Sequence, residues 1–425
     1  MIRRPPRSTR KESSAASDVY KRQILKRFDL SRTIITGIDI RPDRVVCVIA
    51  HELEIVNQGT FLQLIGHGIV ELPIDCVDPF QYPEEELEKY IRQSIDKAEI
   101  ESNVSVKEAY ISIYDHNDSI YIDREIEIDN EVVTNKMINS FFKQREFKSL
   151  YSDAKEPLHS FPISHRINNL KSVSDPIGMR VNNLRTRWHI IMSDSDRLNK
   201  LRSIFENLQV SVRQFIASAY TSSISTLSEE ESSHGSAVID IGKNYTFISY
   251  IFDNNLIAFQ KIPIGTLHIS KDISQVMNIE LTDADTLRKK LNISNEENLN
   301  DQFEIDSLKV FNSRCEELVE LIQKVTNDSK YFYLVDKNII ITGKGSKSAK
   351  LINKIKNQLE SKKVRLGVAQ KFNGLKTIIS NPSLSSSFGL LTYAADHDLQ
   401  VDENHDQNSQ KKSFFSYVYN FFASI

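Results

Sequence analysis

GSAVIDIGKNYTFISYIFDNN, residues 235–255, is the stretch on which the fold turns. A β-branched run ends on Asp240, Gly242 allows a tight turn, and a second apolar run follows, which is the pattern of a hairpin. Far upstream stands a partial echo, ITGIDIRPDRVVCVIAHEL, residues 35–53, with Asp39 in the corresponding place. One hairpin built twice, each with a single carboxylate at its mouth, predicts two related α/β lobes facing each other across a cleft. A chain of 425 residues is long enough to give each lobe its own core.

The surroundings of the first hairpin extend it to a βββαβ unit. Strands are expected at residues 33–40, 45–50 and 61–72. A helix follows with Leu87, Ile91, Ile95 and Ala98 on one face and Glu84–Glu86 in its first turn, and then a strand at 109–114. Residues 120–208 read differently. Strands at 120–128, 158–167 and 184–193 alternate with helical stripes at Val133, Met137, Phe141 and at Leu198, Leu201, Phe205, Leu208, which predicts a small α+β insertion with its own core. Past the second hairpin come a strand, a helix near 269–277, a long helix over 305–325, the strand NIIITGKGS, a further helix and a short helix around SSSFGLLTYA.

Composition narrows the setting. Three cysteines, Cys47, Cys76 and Cys315, lie far apart with no CxxC pair, so neither a disulfide framework nor a zinc site is expected and the environment reads as reducing cytoplasm. No apolar run reaches the length that spans a bilayer, and no signal-peptide pattern is present. The formal charge of −3 argues against a nucleic-acid partner. Residues 1–23, which include RRPPRSTRKESSAASDVYKRQ, read as non-native, adapter-derived sequence and are set aside from the fold.

Lone Asp residues at paired turns suit Mg²⁺, which keeps most of its waters and takes one or two protein carboxylates; Asp39 and Asp240 are the expected ligands. Backbone N–H groups of such turns suit phosphate. TGKGSK, residues 342–347, offers a third turn after a strand and before a helix, where Gly343, Gly345 and Ser346 allow close approach of a flat ligand. No Ser/His/Asp or Cys/His arrangement has a recognisable pattern, and no catalytic residue is assigned.

In order, the two Asp hairpins and the strand–GxGS–helix turn resemble the phosphate-1, phosphate-2 and adenosine motifs of the actin-like ATPases, and within them the FtsA family of bacterial cell division. Closer similarity lies in IASAYTSSISTLSEEESSHGSAVIDIG before and through the second hairpin, DPIGMRVNNLRTRWHIIMS in the insertion, and KIPIGTLHISKDIS after the hairpin. SRCEELVELI and NPSLSSSFGLLTYA resemble two further family blocks. The resemblance implies an α/β, actin-like (ribonuclease H-like) two-lobed fold with an inserted α+β 1C subdomain and a C-terminal amphipathic helix. Its implied boundaries are 24–117 and 210–233 for subdomain 1A, 118–209 for 1C, 234–268 for 2A and 269–330 for 2B. Residues 331–394 would complete 2A and 1A, 395–410 would be a flexible linker, and 411–425 a membrane-targeting helix.

The nucleotide residues implied by the resemblance are Asp39, Arg41, Asp240, Gly242, Lys243, Gly265, Arg288, Arg314, Glu317, Gly343, Gly345 and Ser346, with ATP and Mg as cofactors. Two departures stand out. Arg41 and Pro42 occupy positions where the family usually has Gly and Thr or Ser, and Lys243-Asn244-Tyr245 replaces a glycine-rich second turn. Proline offers no N–H, and arginine does not take up the φ > 0 geometry of glycine cheaply. Two readings stay open: Arg41 and Lys243 neutralise phosphate, or they fill the cleft as its internal salt-bridge glue.

Residues 395–410, ADHDLQVDENHDQNSQ, are acidic and unpatterned, and read as a solvated tether. In KKSFFSYVYNFFASI, Phe414, Val418, Phe421 and Ile425 recur at helical spacing beside Phe415 and Phe422, while Ser413, Ser416, Asn420 and Ser424 form the opposite stripe. With Lys411 and Lys412 at its start, such a helix suits the headgroup boundary of an anionic membrane. The FtsA resemblance implies a non-enzymatic assembly protein on the cytoplasmic face of the inner membrane at the division site. Its implied partners are the FtsZ C-terminal tail, further copies of itself, late division proteins and membrane lipid. A PilM-like pilus-assembly protein and a superfamily phosphotransferase are the alternatives.

Overall fold

The computed structural model describes residues 33–55, 59–114, 118–134, 137–138, 154–168, 171–173, 175–293, 301–335, 338–359 and 363–402. Strands β1 (Ile34–Arg41), β2 (Arg44–Ile55) and β3 (Gly59–Glu71) form an antiparallel meander, and helix α1 (Glu84–Ser102) carries the chain across to β4 (Glu108–Ile113), parallel to β1. The acidic first turn of α1 suits its N-terminal dipole, and Leu87, Ile91, Ile95 and Ala98 are buried beneath it.

The insertion follows as β5 (Asp118–Val132), β6 (Lys155–Ile167), β7 (Lys171–Val173) and β8 (Arg180–Asp194), a four-stranded sheet in the order β5-β8-β6-β7. Its core gathers Ile128, Val133, Ile138, Val181, Leu184, Trp188, Ile190 and Met192. Helix α2 (Ser195–Asn207), β9 (Ser211–Ala217) and α3 (Ser218–Thr226) then return to the first lobe. The stripe Leu198, Leu201, Phe205, Leu208 was expected inside the insertion; it packs instead into the first lobe's core with α1. An amphipathic stripe dictates that a face be buried but not which surface buries it. Of the other stripe expected there, Val133 and Met137 are described, while Phe141 lies outside the described residues.

The second lobe repeats the scheme with β10 (Ser236–Ile241), β11 (Thr246–Phe252), β12 (Asn255–Ile262), helices α4 (Thr266–Met277), α5 (Leu281–Leu291) and α6 (Gln302–Asp328), then β13 (Asn338–Thr342), α7 (Ala349–Gln358) and β14 (Lys363–Leu366). Its sheet runs β12-β11-β10-β13-β14. The first lobe's sheet, β15-β3-β2-β1-β4-β9, has the same order once the short strand β15 (Phe372–Asn373) at its edge is set aside. In both, an antiparallel meander is followed by two parallel strands on the far side of the first one, as the duplicated hairpin predicts.

Helix α8 (Ser385–Asp402) crosses back onto β1, β2 and α3. Gly389 lies against the Thr221 backbone and Gly37 against Leu390, so the helices and sheet approach at distances that a Cβ would forbid. Hydroxyls line this seam: Ser112 Oγ is 2.9 Å from Ser386 Oγ, which is 2.7 Å from Thr221 Oγ1. α8 also runs past residue 394, so the first eight residues of the stretch read as tether (395–402) are helical; residues 403–425, with the expected membrane helix, lie outside the described residues. The insertion rests on β12, where His189 Nδ1 is 2.6 Å from the Leu256 carbonyl and the Tyr121 hydroxyl donates to the Ile257 carbonyl at 3.3 Å.

Candidate functional site

The two hairpin carboxylates occupy equivalent places. Asp39 pairs in register with Ser112 of β4 and Asp240 with Thr342 of β13, each at the C-terminal end of its lobe's central strand. Between them lies Arg41. Its Nη2 donates to Asp240 Oδ2 at 2.9 Å and its Nε to Asp39 Oδ2 at 3.2 Å. The guanidinium lies over the Tyr114 ring, 5.2 Å from its centroid, and the Tyr114 hydroxyl donates across to the Tyr245 carbonyl at 3.1 Å. Asp39 also accepts from Ser386 Oγ and Ser387 Oγ, both at 3.1 Å, in the first turn of α8, where the helix dipole favours an anion. Asp240 is less well served: its Oδ1 is buried and has no hydrogen-bond partner among the described residues. Gly343 packs against that oxygen with φ +84, a place where a Cβ would collide.

The second turn reaches the other way. Lys243 Nζ donates to the Pro42 carbonyl at 3.2 Å and to the Pro73 carbonyl at 3.1 Å, and Asn244 Nδ2 donates to the Val77 carbonyl. The turn's own carbonyls cap α4: Thr266 N–H donates to Gly242 O at 3.0 Å and Leu267 N–H to Lys243 O at 2.9 Å. Gly265 permits that approach, since a Cβ there would strike Lys243 O. At the cleft's mouth Asp43 holds Arg44 at 2.7 Å and Lys344 at 3.1 Å, and Arg44 Nη2 also donates to the Ser383 carbonyl.

Electrostatics follow from this packing. Burial works against a charged Arg41, yet the fields of Asp240 and Asp39 outweigh it and hold the guanidinium protonated more firmly than usual. Burial likewise opposes the Asp43 carboxylate, but Arg44 and Lys344 hold its pKa well below the usual range. Burial lowers the Lys243 pKa and raises that of Tyr114.

These residues do not fit a metal nucleotide as they stand. Donors expected to meet phosphate are engaged by protein: the Arg41 guanidinium by two carboxylates, the Lys243 ammonium by two carbonyls, and the first N–H groups of α4 by the turn. Between Asp39 and Asp240, the expected Mg²⁺ ligands, lies the Arg41 guanidinium, a cation that would repel a second one in the same place. Among the described residues no group of three or more His, Cys, Asp or Glu forms a metal site.

Of the other sequence candidates, Gly242 closes its own turn by donating to Tyr245 O at 2.9 Å. Gly345 packs on Ile241, and Ser346 Oγ donates to Gly343 O at 2.7 Å. Arg288 is buried against Asp285 at 2.8 Å and Ser270 Oγ at 2.9 Å; Arg314 pairs with Asp272 and with Glu317, the latter at 2.6 Å. Their ion pairs stay within the α4–α5–α6 layer rather than entering the cleft. Sequence reasoning missed Asp43, Tyr114, Lys344, Ser386 and Ser387. The serine run stands in the quoted block NPSLSSSFGLLTYA, but its partner lies 347 residues away.

Comparison with known proteins places this geometry among relatives. The family model "Cell division protein FtsA" matches residues 237–389, and "SHS2 domain inserted in FTSA" matches residues 115–192; together they take in more than half of the chain. A "Cell division protein FtsA" of Buchnera aphidicola subsp. Schizaphis graminum is 24% identical over 93% of this chain and 97% of its own length. That of Agrobacterium fabrum is 24% identical over 87% of this chain and 88% of its own length. Among solved structures, the "PilM-PilN type IV pilus biogenesis complex" superposes with TM-score 0.58 at 11% identity, covering 85% of this chain and 98% of that one. MreB 5 of Spiroplasma citri bound to AMPPNP superposes with TM-score 0.50 at 9% identity, covering 88% and 99%. At such identities these two show a shared actin-like fold and no more.

Proposed function

The chain belongs to the FtsA family of cell division proteins, and from that premise we propose that it fastens the FtsZ ring to the cytoplasmic face of the inner membrane. In this reading residues 411–425 lie in the headgroup layer, the FtsZ C-terminal tail docks near residues 270–330, and copies of the chain associate by actin-like contacts while late division proteins are recruited. The work is mechanical, and no residue is assigned a catalytic step.

The observation that carries the proposal is the spacing of Phe414, Val418, Phe421 and Ile425, opposite a serine and asparagine stripe and behind Lys411 and Lys412. A fifteen-residue helix reaches only about 22 Å at 1.5 Å per residue, too short to cross a bilayer. Its aromatic face and paired lysines favour the surface of an anionic one. Each helix binds weakly, and self-association of the bodies would turn many weak contacts into firm attachment. Among the described residues no helix is long and apolar enough to cross a membrane. The PilM likeness at 11% identity concerns fold alone, whereas both matching family models are division ones.

The test is co-sedimentation with anionic liposomes. The full chain is expected in the pellet and a chain lacking residues 411–425 in the supernatant. Equal sedimentation of the two defeats the proposal.

A further inference from the structure

We infer that the cleft of this chain is shut by a built-in latch. Arg41 of the first lobe bridges to Asp240 of the second, Lys243 of the second donates to carbonyls of the first, and the closed arrangement does not depend on a bound metal nucleotide. The inference goes beyond membrane attachment and stands independently of it.

Three observations carry it. First, the contacts are reciprocal: the first turn sends Arg41 to Asp240, and the second turn sends Lys243 back to the carbonyls of Pro42 and Pro73. Second, they are dry. The side chains of Arg41, Asp39 and Asp240 are 4%, 0% and 2% exposed, so these are not the screened surface pairs that contribute little. Third, each charged side chain is engaged by protein: Asp39 and Asp240 hold Arg41, Asp43 holds Arg44 and Lys344, and Lys243 donates to two carbonyls. A triphosphate reaching Arg41 or Lys243 would have to compete with these contacts, and a buried pair broken on one side is costly.

Arginine suits the role for a geometric reason. Its planar fork reaches two carboxylates at once from different nitrogens, Nε and Nη2, which a lysine ammonium on the same stem does not reproduce. Pro42 next to it fixes the backbone at the apex of the turn and leaves its carbonyl to accept Lys243.

The test is a double-mutant cycle on the full chain without nucleotide, comparing Arg41→Ala, Asp240→Ala and the pair. Far-UV circular dichroism checks folding, thermal melting reads stability and small-angle X-ray scattering reads lobe separation. Each single variant is expected to lower the melting midpoint by about 1–5 °C and to enlarge the radius of gyration, and the pair to lower the midpoint by clearly less than the two shifts added. Additive shifts with unchanged scattering overturn the latch. If Arg41→Ala does not fold, Arg41→Gln, which keeps the stem, takes its place in the cycle. Scattering of the nucleotide-free wild type is an independent check: a profile matching the closed two-lobed form supports the latch, and a wider particle that contracts on adding Mg-ATP overturns it.

Discussion

The two hairpins share a frame and differ in what their turns do with it. In both, the carboxylate ends a central strand that is flanked by an antiparallel partner on one side and a parallel strand on the other. Asp39, however, is held by a guanidinium and two hydroxyls, while Asp240 has the guanidinium on one oxygen and, among the described residues, no hydrogen-bond partner on the other. A duplicated scaffold fixes where charges stand. The turn residues and the helix placed above each hairpin decide how well those charges are satisfied.

That asymmetry gives the largest expected effect. Asp39→Ala removes the acceptor of three side-chain donors and should cost about 3–5 kcal/mol, whereas Asp240→Ala orphans one and should cost about 1–3 kcal/mol. Denaturant unfolding monitored by circular dichroism measures both, and equal costs would erase the distinction between the hairpins.

A second contact between the halves of the molecule responds to pH. His189, wedged between the insertion and β12, is held neutral by burial, its pKa pushed down to about 4. Its folded pKa lies below the unfolded value, so the unfolded chain binds the extra proton and stability falls as pH drops from about 6.5 towards 4, by up to about 1.4 kcal/mol per unit. His165, also lowered by burial to about 4, adds to the same slope from within the insertion. His189→Gln should flatten the melting midpoint across this window relative to wild type. An unchanged slope would mean that His189 does not set the acid sensitivity.

A smaller effect belongs to the second turn. Lys243→Met keeps the stem but takes the ammonium from the Pro42 carbonyl and from the Pro73 carbonyl, which still accepts from the Cys76 N–H at 3.1 Å, and should cost about 1–3 kcal/mol in the same denaturant assay. A neutral result would mean that water replaces the ammonium and that the return half of the latch contributes nothing. Arg202→Ala, which breaks the exposed pair with Glu156, supplies the baseline at less than about 1 kcal/mol.

Much of the frame was legible in the sequence. Repetition of an Asp-Ile-turn between β-branched runs predicted two lobes, and the sheet orders bear this out. Local patterns were poorer guides to partners. The stripe on α2 announced a buried face without saying that the first lobe, rather than the insertion, buries it. The polar stretch after residue 394 read as tether, yet it contains no Gly or Pro to stop α8, which continues to Asp402. In the cleft, Arg41 and Lys243 were visible as departures. Whether they would meet phosphate or protein depended on a carboxylate and a backbone carbonyl about two hundred positions away, and no spacing rule carries that information.

The central claim, that this cleft is closed by its own residues, is tested most directly by calorimetric titration of the nucleotide-free full chain with Mg-ATP. A cleft latched in this way should give heats no larger than dilution throughout. Saturable one-to-one binding in the micromolar range, abolished by Asp240→Ala, would contradict it.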